Sequence, residues 1–64
     1  MKKSELKNGK KYVILNGDRH EMIGKASILS NGYISFKDVK GFVYSLSELE
    51  ARFKDINFEI YVPI

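Results

Sequence analysis

The sequence predicts a mainly β domain, a small barrel of five short strands with one short helix before the last of them. Three observations carry this. Five glycines, Gly9, Gly17, Gly24, Gly32 and Gly41, punctuate the chain, and three of them follow Asn. The segments between them are short and rich in β-branched and aromatic residues, the composition of strands. Hydrophobic periodicity changes once from two to a helical spacing, between Ser45 and Phe53.

Each element follows in order. Tyr12-Val13-Ile14-Leu15 reads as a central strand ending at Asn16-Gly17. Asp18-Arg19-His20-Glu21 is a charged patch suited to a solvated loop or a long hairpin tip, and strand character resumes at Met22-Ile23, with Gly24 expected at a bulge or bend. Asn31-Gly32 lies between Ala26–Ser30 and Tyr33–Lys37. Both residues accept positive φ, so the pair predicts a two-residue type I′ hairpin with Ser30 facing Tyr33. Phe42-Val43-Tyr44 forms the next strand, entered through Asp38-Val39-Lys40-Gly41.

Leu46, Leu49 and Phe53 then share one helical face. Ser45 with Glu48, and Ser47 with Glu50, both have the spacing of a capping box. A helix of under three turns has no stability of its own and must lean on the sheet. In the last segment Ile56, Phe58, Ile60, Val62 and Ile64 alternate with polar or bulky neighbours, which predicts a strand over 57–64 with one packed face. A short helical turn between the last two of five strands is the arrangement of SH3-like barrels; the alternative is an α+β antiparallel sheet of three or four strands with one helix across it.

With 64 residues the chain has room for one domain, 1–64, in which residues 1–8 form a basic segment expected to be flexible. There is no Cys and one His, so neither disulfides nor a zinc site can stiffen it, and the core must come from apolar side chains, four Phe and four Tyr among them. No apolar stretch approaches the roughly 20 residues that span a bilayer, and no signal-peptide core follows Met1-Lys2-Lys3, so a cytoplasmic location is expected.

Catalytic chemistry finds little support. One His and scattered Ser do not make a nucleophile oriented by a base and a third group. His20 fits a solvated loop better than a general base, and Asp18, His20 and Glu21 would need further ligands to hold a cation. No glycine-rich phosphate loop is present. No catalytic, cofactor-binding or metal-binding residues are therefore expected, and no cofactor.

Binding remains. The net charge is +3, but Lys2, Lys3, Lys7, Lys10 and Lys11 face only Glu5 in residues 1–12, and the rest of the chain is nearly neutral. The basic character reads as a property of the N-terminal tail. Strand phase predicts that Tyr33 faces outward with Lys37, and Tyr61 outward with Glu59. Tyr33, Lys37, Glu59 and Tyr61 are thus the candidate partner-binding residues, and the last strand offers an edge for a protein partner or a homodimer. The alternative is a nucleic-acid-binding barrel using Lys2, Lys3, Lys7, Lys10 and Lys11 together with Tyr33.

The motifs also resemble a family. Leu6-Lys7-Asn8-Gly9, Leu15-Asn16-Gly17-Asp18-Arg19, and Ser45-Leu46-Ser47-Glu48-Leu49 leading to Phe58-Glu59-Ile60-Tyr61-Val62 resemble segments of small SH3-like barrel proteins of phages and prophages in Gram-positive bacteria. Those proteins carry an apolar residue after the first Gly where this chain has Lys10-Lys11. The resemblance implies a compact barrel encoded among accessory genes, many of which act by binding host proteins. It brings no catalytic or binding residues.

Overall fold

The computed structural model describes residues 1–63. A 3₁₀ turn at Lys3–Glu5 precedes β1 (Lys11–Asn16), β2 (Arg19–Ile28), β3 (Ile34–Asp38), β4 (Val43–Ser45), helix α1 (Leu46–Arg52) and β5 (Ile56–Ile60). The strands form one antiparallel sheet in the order β4-β3-β2-β1-β5. The mainly β class, the five strands and the helix before the last strand are as the sequence predicts. The barrel is not: the sheet stays open between β4 and β5, and α1 occupies that part of the chain path.

The sheet is nevertheless strongly curled. Phe36 of β3 and Phe58 of β5 belong to strands with two others between them, which on a flat sheet would put them roughly 14 Å apart. Their rings stack with centroids 5.6 Å apart and an interplanar angle of 18°. The concave face therefore encloses the core, in which Tyr12, Ile14, Ala26, Phe36 and Phe58 meet Leu6, Leu46 and Leu49. Gly24 makes the curl possible. A Cβ there would lie 2.9 Å from Phe36 Cβ, closer than side chains tolerate. The register does not shift at Gly24; the bulge lies two to three residues earlier, where Ile14 faces Met22 and Leu15 faces His20, leaving Glu21 unpaired.

The hairpins correct the sequence expectation in an informative way. At 29–33 only Gly32 has positive φ (+87°). The Gly32 N–H donates to Leu29 C=O and the Leu29 N–H to Tyr33 C=O, so the loop has three residues, Ser30-Asn31-Gly32, not two. Asn31 keeps negative φ, and its Oδ1 accepts from the Tyr33 N–H at 2.9 Å. The register is thereby one residue away from the type I′ expectation: Ile28 faces Ile34 and Ala26 faces Phe36. The shorter loop would have set Ala26 against Lys37. Apolar pairing on the buried face outweighs the local turn preference. Asp38-Val39-Lys40-Gly41-Phe42 repeats the same loop, with Gly41 at φ +93° and Asp38 Oδ1 accepting from the Lys40 and Phe42 N–H groups.

Arg19, His20 and Glu21 are not a loop. A two-residue turn, Gly17-Asp18, joins β1 to β2, and all three lie in β2. Only Gly17 has positive φ (+66°), the pattern of a type II′ turn. The start of β5 is pinned to this turn, since the Gly17 N–H donates to Asp55 C=O at 2.7 Å.

Helix α1 forms as the spacing predicts. Ser45 is its N-cap, Oγ accepting from the Glu48 N–H at 3.1 Å, and Leu46 and Leu49 are buried with Phe53 packed beside them. The last strand is shorter than predicted. It ends at Ile60; Ile60 is 51% and Val62 74% exposed, and Ile64 lies outside the described residues. The reason is its partner. β1 begins at Lys11, which takes the Tyr61 N–H, while the Lys10 C=O is used by the Ala26 N–H of β2. Beyond Tyr61 no strand among the described residues is left to pair with.

Residues 1–8 are tied to the body at several points. Leu6 is in the core, the Lys7 N–H donates to the buried Tyr12 hydroxyl at 2.7 Å, and Asn8 Oδ1 accepts from the Ile28 N–H.

Candidate functional site

The convex face of the sheet carries the residues that alternate with the core. Lys11 faces Lys25 across β1–β2, and Lys25 faces Lys37 across β2–β3. Three lysines from three neighbouring strands thus stand side by side. Tyr61 extends the row at the β5 end, its N–H bonded to Lys11 C=O at 3.2 Å, and Val43 ends it on β4. Like charges directly opposite on a sheet cost up to about 1 kcal/mol per pair, a cost this fold carries twice.

None of the three has an ion-pair partner among the described residues. The two salt bridges found there join Lys3 to Glu50 at 3.7 Å and Arg19 to Glu21 at 3.3 Å. Asp38 borders the row, but its Oδ1 is engaged by the β3–β4 turn. Glu59 lies one row away, opposite Val13.

The rows on either side differ in character. On one side Ser27 faces Ser35, and Ser35 faces Ser45. On the other, Val13 faces Ile23, both half-buried. There Val13, Ile23, Ile60, Tyr61 and Val62 line a shallow groove whose far end is formed by His20, Glu21 and Met22.

The sequence-predicted residues are distributed unevenly over this surface. Lys37 and Tyr61 belong to the same row, with Lys25 and Lys11 between them. Glu59 borders it. Tyr33, half exposed, does not join: it lies past the last ladder pair of β3, beside Lys3, Leu46 and Ser47. Of the N-terminal lysines only Lys11 reaches the row. Lys3 pairs with Glu50, and Lys2, Lys7 and Lys10 are exposed ahead of β1. Lys25 is the residue that sequence reasoning missed, and its neighbours explain why. The expected two-residue hairpin would have set Lys25 opposite Asp38, a neutralising pair; the observed register sets it opposite Lys37.

His20 is exposed near the tip of β2, and no group of three or more His, Asp or Glu among the described residues is arranged to hold a metal ion. No helix of the described residues is long and apolar enough to cross a membrane. Another free surface is the outer edge of β5. Since Tyr61 and Asp55 bond to Lys11 and Gly17, the odd-numbered residues of β5 turn their backbone groups toward β1. The N–H and C=O groups of Phe58 and Ile60 therefore point away from the sheet. In comparisons with known proteins, no family model, no curated protein and no solved structure matches the chain.

Proposed function

We propose that this protein is a non-enzymatic binding module that holds a phosphate-bearing polymer, a nucleic acid, on the convex face of its sheet. The observation that carries this reading is the in-register row of Lys11, Lys25 and Lys37, unpaired among the described residues and set on the three central strands of the sheet. Ammonium groups spaced at strand intervals meet successive phosphates, and the serine row beside them adds hydroxyl donors. Phosphate contacts release counterions, so affinity must fall as salt rises.

The test is fluorescence anisotropy with a labelled oligonucleotide at two salt concentrations. With three phosphates neutralised, the slope of log K against log salt is about −2 for a single strand, a loss of roughly 16-fold between 50 and 200 mM. Replacing Lys11, Lys25 and Lys37 together by Gln abolishes binding, whereas replacing Lys2, Lys3, Lys7 and Lys10 by Gln leaves most of it. Absence of binding at 50 mM salt, or binding indifferent to the first triple change, refutes the reading.

A second reading is favoured by the free edge of β5. An extended segment of a protein partner, a second copy of this chain in the simplest case, would pair with the outward backbone groups of Phe58 and Ile60 and cover the exposed Ile60 and Val62. Sedimentation analysis decides it: a dimer that Ile60→Lys dissociates supports it, and a monomer at all concentrations removes the second-copy form. Both readings suit a cytoplasmic accessory protein of the phage type.

A further inference from the structure

Resting on the nucleic-acid reading above, we infer that the polymer is single-stranded, and that one of its bases seats against Tyr61 over Val13 and Ile23 while its phosphates follow Lys11, Lys25 and Lys37. The inference comes from what lies beside the lysines. A surface that only gathers phosphate has no use for apolar side chains at its border. Here the row next to Lys11 and Lys25 is Val13 and Ile23, directly opposite each other and half-buried. The groove over them is closed at one side by Tyr61, Ile60 and Val62.

The dimensions suit a nucleotide. Val13 follows Lys11, and Ile23 precedes Lys25, by two residues on the same face, a step of roughly 7 Å along a strand. A phosphate at the ammonium groups thus leaves its base lying over the valine and isoleucine. Tyr61 lines this groove, and its backbone is fixed there by the N–H bonded to Lys11 C=O. Stacking on one aromatic ring is tolerant of base identity, so the site selects for unpaired bases more than for sequence. A duplex keeps its base faces stacked inside and offers only backbone to such a groove. Glu59, across from Val13, repels phosphate from the β5 side and keeps the backbone on the lysine row.

The experiment compares a labelled twelve-residue oligo-dT, a twelve-base-pair duplex and inorganic polyphosphate as competitor, on the wild type, Tyr61→Phe and Tyr61→Ala. Oligo-dT is expected to bind at least about ten-fold more tightly than the duplex at equal salt. Tyr61→Ala is expected to weaken oligo-dT about five-fold or more, with the salt slope and the competition by polyphosphate unchanged, while Tyr61→Phe binds as the wild type does. A duplex bound as tightly as oligo-dT, or a Tyr61→Ala protein that binds oligo-dT normally, overturns the inference and leaves the lysine row as a backbone site. Failure of the wild type to bind any of the three probes overturns both.

Discussion

The rings of Phe36 and Phe58 stack at 5.6 Å although β2 and β1 lie between their strands. That contact is possible only on a sheet rolled toward itself, and it organises the rest of the core. It brings the two halves of the sheet together without a β4–β5 ladder, and Leu46 and Leu49 of α1 pack into the same cluster.

Gly24 is the residue that this arrangement tolerates least. With an ideal Cβ 2.9 Å from Phe36 Cβ, which is fixed to its own backbone, Gly24→Ala forces β2 and β3 to shift apart. Overpacking of this kind costs about 1–3 kcal/mol. A domain of this size has on the order of 5 kcal/mol in all. Urea unfolding should show a large fall in midpoint, and a companion Phe36→Leu change should recover none of it, because leucine keeps the Cβ that the new methyl meets.

Ser45 and Ser47 both have capping-box spacing, and only one caps. Ser45 Oγ accepts from the Glu48 N–H, whereas Ser47 lies inside the first turn. Ser45→Ala should destabilise the protein by about 1 kcal/mol. Ser47→Ala should change stability by less than about 0.5 kcal/mol. Denaturant titrations of the two variants, side by side, check the difference.

The β2–β3 loop makes a contrast of the same sort. Gly32 at φ +87° is in the left-handed region, so Gly32→Ala should cost about 1–2 kcal/mol. Asn31 has negative φ and gives up only one exposed hydrogen bond, to the Tyr33 N–H, so Asn31→Ala should cost about 0.5–1 kcal/mol. In a type I′ turn both positions would be strained. Equal losses measured by thermal unfolding would contradict the three-residue loop.

Lys25 stands between two other lysines, and the fold gains nothing from its charge. Lys25→Glu should raise stability at low salt by about 0.5–1 kcal/mol, an advantage that shrinks as salt screens it. The same change should weaken oligonucleotide binding. Unfolding curves at 20 and 500 mM salt, paired with anisotropy, test this opposition between stability and binding.

The sequence made local features legible and hid those that depend on register. Leu46, Leu49 and Phe53 announce the buried face of α1, and Tyr12 to Leu15 announce a strand with neighbours on both sides, as β1 has. Each of these depends on residues within a few positions of one another. The site does not. Lys11, Lys25 and Lys37 meet only through two ladders, and shifting one hairpin by a single residue would replace Lys37 by Asp38 in the row. The Asn31-Gly32 dipeptide pointed to that shift, but the match of Ala26 with Phe36 and of Ile28 with Ile34 prevailed. The openness of the barrel was equally hidden, because the contact that replaces closure, Phe36 on Phe58, joins residues far apart in the chain.

The ladder between β1 and β5 also sets an order of events. Ile14 and Phe58 are 44 positions apart, whereas β2, β3 and β4 are joined by tight loops. Hairpins of that kind close in microseconds, but bringing β5 home means closing a long loop before any contact rewards it. The β1–β2–β3 meander, closed by two tight turns, should then form first, and β5 should dock late. Stopped-flow kinetics should find that truncating Ala26 or Phe36 slows refolding, while truncating Phe58 mostly hastens unfolding. The strand that completes the core would be the first to leave it.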